Sequence, residues 1–422
     1  MKFHAIDLPN GKYIQPNNTH KNLFLLALTL VLLITIPLCL NNISNSPLPS
    51  PKSNAGSSKS IEKEDQCQIF TGNWVPYPDG PAYYTNETCN LIIDQQNCMK
   101  FGRPDTEFMT WRWKPDACEL PLFDAAQFLE LVRGKSLAFL GDSVGRNQMQ
   151  SLLCLLATVT YPEDISHKYS SNTDYFKRYV YNDHNFTIAN LWSPYLVKSR
   201  DVDPRGNDFN SLMSLYLDEP DEAWLTLVEQ FDYVIVSVGH WFFRPLIYHE
   251  NGRVIGCHKC EQDNMTSFVT SYGYRKAFRT LFKTLGSLKN YKGVTFLRTF
   301  SPSHFENGAW NEGGNCARTK PFTKEETKLD GYVLEMYLTQ VEELKAAEEQ
   351  GLQRGLQRGL QFRLMDTTEA MLLRPDGHPN FYGHSPHRNM TLADCVHWCL
   401  PGPIDAWNEI LLYMLKTGYR PP

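Results

Sequence analysis

A surplus of basic residues is missing from this 422-residue chain. Its 41 Lys and Arg stand against 46 Asp and Glu, a formal net charge of −5, which gives no support for binding nucleic acid. A glycine-rich phosphate-cradling loop is also missing, so nothing indicates a resident nucleotide. Paired metal-ligand spacing is absent as well. Cys257-His258-Lys259-Cys260 offers only three ligands locally, and no second pair of matching spacing accompanies it. No metal is therefore expected. Residues 23–40, LFLLALTLVLLITIPLCL, lack charge altogether.

Those 18 residues, if helical, span about 27 Å, close to the thickness of the thinner bilayers of the early secretory pathway. A cleaved signal peptide has an apolar core of about 7–15 residues and a small-x-small site after it. Here Asn41-Asn42-Ile43-Ser44 follows, which is a poor cleavage site, so an uncleaved anchor is expected. Lys2, Lys12 and Lys21 precede the run against only Asp7, and the nearest lysines beyond it are Lys52 and Lys59. Positive flanks stay cytoplasmic, which predicts a type II orientation with the body in the lumen.

Two further features agree. Ten of the 11 cysteines follow the apolar run, an even count that suits an oxidising compartment. Sequons for N-glycosylation stand at Asn86, Asn185, Asn264 and Asn389, usable only in the lumen.

What is present divides the chain. Residues 1–22 read as a cytoplasmic tail, 23–40 as the anchor and 41–65, rich in Ser, Pro and Asn, as a flexible stem. Residues 66–120 hold four cysteines and Trp74, Trp111 and Trp113 without a long helical period, and read as a small disulfide-rich subdomain. Residues 121–422 alternate between short apolar runs (136–140, 233–238, 294–298 and 362–365) and helical stretches (122–132, 144–156, 222–230, 275–288, 324–350 and 404–415). Strands apolar throughout and separated by helices predict an α/β domain, a mainly parallel sheet covered on both faces. Aromatic residues make up 13% of the chain, either as core or as stacking surfaces for sugar rings. The run GLQRGLQRGLQ at 351–361 is too short for a solenoid and reads as a surface duplication.

Two motifs carry chemistry. The run SLAFL leads directly into Gly141-Asp142-Ser143, and a helix opens behind it. A serine there is either a helix cap or a nucleophile beside converging backbone N–H groups. Near the other end stands Asp394-Cys395-Val396-His397. This pair is either structural or a general base with its orienting acid.

Together the two motifs resemble the SGNH/GDSL hydrolase-like superfamily. The segments CQIFTGNWVPYPDGPAYYT, WRWKPDACELPLFD, FLGDSVGRNQMQSLLCLL, RTFSPSHFENGAWNEGGNC and DCVHWCLPGPIDAWNEILL, spread from 67 to 412, resemble the plant trichome-birefringence-like family of polysaccharide O-acetyltransferases. The resemblance implies an SGNH-like three-layer α/β/α fold, with Ser143 as an acetyl-carrying nucleophile, His397 as base and Asp394 as its orienter. It also implies an oxyanion site from the Ser143 N–H and Gly239, with Arg146 or Asn147 nearby. Many relatives carry Asn-x-Gly-His where this chain has Ser237-Val238-Gly239-His240, which leaves Ser237 as a shorter-reaching donor.

Disulfides Cys67–Cys118, Cys89–Cys154, Cys98–Cys399 and Cys316–Cys395 are implied in the same way. YVIVSVGHWFFRP and LLRPDGHPNFYGHSP look most like the xyloglucan-acetylating branch; xylan, mannan and pectin remain open as acceptors, and an acetyl esterase would need the same triad. His240, Trp241, His304 and Trp310 either line a sugar cleft or belong to the core. Arg374, Asp376, His378 and His384 either read substrate hydroxyls or fix the loop that carries them. The implied setting is the Golgi membrane. The partners would be a polysaccharide acceptor and a membrane protein that supplies acetyl groups, and no cofactor would be bound beyond an acetyl donor.

Overall fold

A computed structural model describes residues 67–80, 83–171, 175–202, 211–260, 264–353, 361–384 and 392–419. The expected tail, anchor and stem lie outside the described residues, as do Asn389 and most of the GLQRGLQRGLQ run. Among the described residues no helix is long and apolar enough to cross a membrane.

In chain order the strands are β1 (Gly72–Pro76), β2 (Trp111–Pro115), β3 (Ser136–Gly141), β4 (Glu163–Asp164), β5 (Lys177–Tyr181), β6 (Phe186–Trp192), β7 (Val197–Asp201), β8 (Met213–Pro220), β9 (Tyr233–Ser237), β10 (Leu246–Glu250), β11 (Arg253–His258), β12 (Val294–Arg298) and β13 (Gln361–Met365). The α-helices are α1 (Ala125–Leu131), α2 (Ser143–Leu156), α3 (Glu222–Leu225), α4 (Thr270–Ser287), α5 (Gly331–Gln353), α6 (Thr368–Leu372) and α7 (Asp405–Thr417).

The central sheet has seven strands in the order β13-β12-β9-β3-β6-β5-β4. Its first five neighbours are parallel, and β5 and β4 extend it antiparallel. The parallel strands are apolar on both faces because both faces are covered. Leu137 and Phe139 of β3 with Ile235 of β9 enter one core cluster, with α2 and α7. Ala138 and Leu140 with Val234 and Val236 enter the other, with α4 and α5. One strand thus feeds two cores by the alternation of its side chains. The expected mainly parallel sheet is present, with helices on both sides.

A second sheet, β11-β10-β8-β7, was not expected. Its strands read as KSRD or LIYHE, mixing charge with aromatics, and several of their side chains are only half buried. That pattern hides from a search for continuous apolar runs.

Within the Cys-rich segment β1 and β2 form a two-stranded antiparallel sheet that sets Trp74 opposite Trp113. Both rings enter the same core cluster as α2 and α7, and the Trp74 indole N–H donates to the Ala370 carbonyl at 2.7 Å. Disulfides Cys67–Cys118, Cys89–Cys154, Cys98–Cys399 and Cys316–Cys395 are present, with a fifth, Cys257–Cys260. The fifth joins the two cysteines of the Cys-His-Lys-Cys run to each other.

Candidate active site

The chain runs from β3 first to β6 on one side and later to β9 on the other. The carboxyl ends of β3 and β9 therefore flank the point where strand order reverses, the place where open α/β sheets form their crevices. Gly141 ends β3 with φ at 153°, and a Cβ there would lie 1.9 Å from the Ser237 carbonyl oxygen. Only glycine allows this approach. Asp142 then caps α2, accepting the Val144 N–H at 3.0 Å through one carboxylate oxygen and the Gly239 N–H at 3.0 Å through the other. Burial pushes the pKa of Asp142 up, against the pull of the Arg298 charge and these donors. Ser143 is the first residue of α2, at the positive end of the helix dipole.

The loop after β13 and α6 supplies the partner groups. Asp394 accepts the backbone N–H groups of Val396 and His397 at 3.1 and 3.0 Å through Oδ1. Its Oδ2 lies 2.7 Å from His397 Nδ1, and His397 Nε2 lies 2.7 Å from Ser143 Oγ. An ionised carboxylate only accepts, so Nδ1 carries the hydrogen and Nε2 offers its lone pair to the serine hydroxyl. Burial raises the pKa of Asp394, but the charge of His397 and the three hydrogen bonds outweigh it and hold the carboxyl well below the usual range. Burial lowers that of His397, and Asp394 more than restores it, so the imidazole titrates above its ordinary value. A hydroxyl, a base and an orienting acid in line can move a proton from the serine to the imidazole.

Some residues expected at the site have other duties. Gly239 has its N–H committed to Asp142, so it is not an open oxyanion donor in this structure. Ser237 is fully buried and its hydroxyl accepts from the Arg298 guanidinium, beneath Gly145. Its shorter side chain leaves it below the surface where a substrate could lie. Asn147 is fully buried and holds Trp398 through both its amide groups. His304 is bonded to His378 and the Leu372 carbonyl, behind the loop that carries His397. Arg374 and Asp376 form a buried bidentate ion pair, so they fix their loop rather than read a ligand.

Arg146 and His240 do stand near His397. Arg146 lowers the imidazole's proton affinity through its charge and lies 5.5 Å from the Trp192 ring centroid. His240 contacts the Ser301 carbonyl at 2.8 Å through Nε2, and burial drives its pKa down to about 4, which keeps it neutral. Trp241 packs edge-on to Trp192 at 5.7 Å, and Trp192 lies 5.1 Å from Tyr175, which is exposed. Trp192 and Tyr175 escaped notice in the sequence. Trp192 ends β6, a strand whose polar interruptions concealed it, and Tyr175 precedes β5.

Among the described residues no group of His, Cys, Asp and Glu could hold a metal ion. Asn185 and Asn264 are exposed and adopt left-handed backbone, and Asn86 is half-buried.

Residues 120–414 match the GDSL/SGNH-like acyl-esterase family found in Pmr5 and Cas1p, and residues 65–119 match the PMR5 N-terminal domain. Protein trichome birefringence-like 19 of Arabidopsis thaliana is 54% identical over 84% of this chain and 82% of its own length. Xyloglucan O-acetyltransferase 4 of Populus trichocarpa is 44% identical over 85% of this chain and 83% of its own. Xyloglucan O-acetyltransferase 1 of Arabidopsis thaliana is 42% identical, covering 84% and 82%. With a family match over most of its length and a serine, histidine and aspartate aligned at the sheet's carboxyl edge, the chain belongs to the GDSL/SGNH-like acyl-esterase family found in Pmr5 and Cas1p.

Proposed function

We propose that this chain acetylates xyloglucan through an acetyl ester on Ser143. The chain is a polysaccharide O-acetyltransferase, as its family and its relatives named xyloglucan O-acetyltransferases support. The observation that carries the mechanism is the unbroken line from Asp394 through His397 to the Ser143 hydroxyl, at 2.7 Å for each contact.

In the first half-reaction Ser143 Oγ attacks the carbonyl carbon of the donor's acetyl group while His397 Nε2 takes the hydroxyl proton. The tetrahedral oxyanion is stabilised by the Ser143 N–H, the positive end of α2 and the Arg146 guanidinium. It collapses as the donor's leaving group departs with the proton from His397, leaving acetyl-Ser143. In the second half a sugar hydroxyl gives its proton to Nε2 and attacks the ester. The sugar then carries the acetyl group, and Ser143 Oγ recovers the proton. Asp394 holds the imidazole in the required tautomer and stabilises its charged form. The face formed by Tyr175, Trp192 and Trp241 gives a sugar ring a surface to stack on.

The charge-free run at 23–40, the flanking lysines, the sequons and the disulfides support a lumenal body on a Golgi membrane anchor, with residues 66–120 and 121–422 as its two sequence regions. An acetyl-supplying membrane protein fits that placement.

The test supplies the full chain with deacetylated xyloglucan and an acetyl donor and follows both polymer and enzyme by mass. Acetyl gain on the polymer, and acetyl-Ser143 accumulating without acceptor, are the expected results. Net loss of acetyl from acetylated xyloglucan would point to an esterase, and acetylation of xylan, mannan or pectin alone would move the acceptor. No acetylated serine under donor excess would overturn the mechanism.

A further inference from the structure

His304 and His378 form a buried contact that the acyl-transfer line does not use. His304 Nε2 lies 3.0 Å from the Leu372 carbonyl oxygen, and His378 Nδ1 lies 2.6 Å from the His397 carbonyl oxygen. A carbonyl can only accept, so both of these nitrogens carry hydrogen. A neutral imidazole has one N–H, which leaves a lone pair on each remaining nitrogen. Those two nitrogens, His304 Nδ1 and His378 Nε2, face each other at 2.7 Å. Two lone pairs at that separation repel. One added proton turns the same contact into an N–H···N hydrogen bond and completes the chain from Leu372 to His397.

We propose that His304 and His378 share a single proton between their facing nitrogens, forming a cationic dyad that positions His397. The dyad is joined to the His397 loop at three further points. The His304 backbone N–H donates to the Cys395 carbonyl at 3.1 Å, the His378 ring stacks on Trp398 at 4.1 Å, and the Arg103 guanidinium bridges the His378 carbonyl at 2.8 Å and Cys399 Sγ at 3.2 Å. His304 and His378 are therefore positioning residues. They touch no reacting atom and act through the backbone of the base.

The charged and titratable groups around the dyad decide how many protons it holds. Asp376, paired with Arg374, raises the proton affinity of His304, and Asp394 raises that of His378. Burial opposes any charge there, pushing His304 down to about 4. Burial and then the charge on His304 push His378 down, and His240 adds to the repulsion. Burial, the largest effect on both rings, favours loss of the shared proton as pH rises, and the charge on His304 excludes a second one. Loss of the shared proton leaves one hydrogen bond too many. Either His378 moves its hydrogen to Nε2 and releases the His397 carbonyl, or His304 moves its hydrogen to Nδ1 and releases Leu372. Rising pH thus removes one tie from the support of His397, while the base itself becomes active as its own proton leaves.

Nitrogen NMR of the full-length wild-type protein, labelled at histidine and titrated across its folded pH range, reads the dyad directly. The expected result is three N–H groups on the dyad at low pH, one of them shared by the two facing nitrogens, with the N–H on His378 Nδ1 or His304 Nε2 replaced by a lone pair as pH rises. Two N–H groups rather than three at every pH would overturn the proposal. The second arm uses His304→Gln, whose amide can donate to His378 Nε2 without an added proton. The ratio of kcat in this variant to kcat in the wild type should rise with pH, by roughly threefold or more, with little change in KM. A ratio flat in pH would overturn the positioning role. The kinetic arm rests on His397 as the base. The nitrogen shifts do not, so failure of that assignment and failure of the dyad are told apart.

Discussion

Asn147 and Trp398, 251 positions apart, exchange two hydrogen bonds: the Trp398 N–H donates to Asn147 Oδ1 at 2.8 Å, and Asn147 Nδ2 donates to the Trp398 carbonyl at 3.2 Å. Asn147 sits one turn after Ser143 on the same face of α2, and Trp398 follows His397 directly. The pair is thus a clamp that sets the distance between hydroxyl and base. Replacing Asn147 with Ala leaves two buried backbone groups of Trp398 without partners, at a cost of about 1–3 kcal/mol. The expected outcome is a lower melting temperature and a fall in kcat with a smaller change in KM, checked by calorimetry and acetyl-transfer kinetics. Wild-type kcat in this variant would show that the loop is held elsewhere.

Removing the Ser143 hydroxyl should leave the fold intact and activity at background, a loss of about 10⁴-fold or more. His397→Ala should behave alike. Asp394→Asn should lose less than either, because part of the imidazole's orientation survives. Acetyl transfer to xyloglucan oligosaccharides measures all three. Substantial turnover in Ser143→Ala with an unchanged product would refute the covalent route.

The pH dependence follows from the same contact. The base must be neutral, and Asp394 raises the pKa of His397 above its ordinary value of 6.5. The kcat/KM limb should therefore rise with pH about a midpoint above 6.5. In Asp394→Asn burial prevails and the midpoint should move to lower pH. The sign for stability runs with the pair. The raised pKa of His397 contributes stability that is full below about pH 6.5 and fades as pH passes the folded value. The lowered pKa of Asp394 contributes stability that is present above about pH 4 and fades in acid. A limb unmoved by Asp394→Asn would contradict the assignment of the base.

Glu409 on α7 gives a test of stability alone. Its carboxyl accepts from the Tyr83 hydroxyl at 2.5 Å, while the other oxygen is buried with no hydrogen-bond partner among the described residues. Burial raises its pKa to about 7. The folded state keeps a proton that the unfolded chain has lost, so stability declines as pH climbs from about 4 to about 7 and levels off beyond. Glu409→Gln keeps the acceptor without the ionisation. It should be more stable than wild type at pH 8, by up to about 3 kcal/mol, and nearly equal at pH 4. Denaturant melts at the two pH values decide it, and equal stability at pH 8 would count against the burial effect.

Much of the fold could be read from the chain because most of the parallel strands carry apolar residues on both faces. Residues 294–298 were expected as a strand and are β12, residue for residue, and the run at 136–140 gains only Gly141. The helix expected over 122–132 starts later, at Ala125, because Asp124 caps it by accepting the Gln127 N–H at 2.9 Å. The strand β6 went unseen because Thr187 and Asn190 interrupt its apolar run, although Asn190 is buried and its amide donates to the Tyr175 carbonyl at 2.6 Å. At the site, the serine and the Asp394–His397 pair were legible and their surroundings were not. Ser237 and His304 carried polar groups suited to a substrate, and only packing shows that Arg298 and His378 already claim them.

The amino-acid order alone determined what is local. A hydroxyl after a buried strand is presented at a helix start, and an acid three positions before a histidine can grip it within one loop. Tertiary structure decided everything that joins distant segments. Bringing Ser143 to His397 across 254 positions depends on β3 lying beside β9 and on the Asn147 clamp. The meeting of two histidine rings behind that loop depends on two separate connections converging, the one after β12 and the one after α6. Strand neighbours and loop paths are set by the summed burial of the whole core, and no short stretch of residues contains that sum.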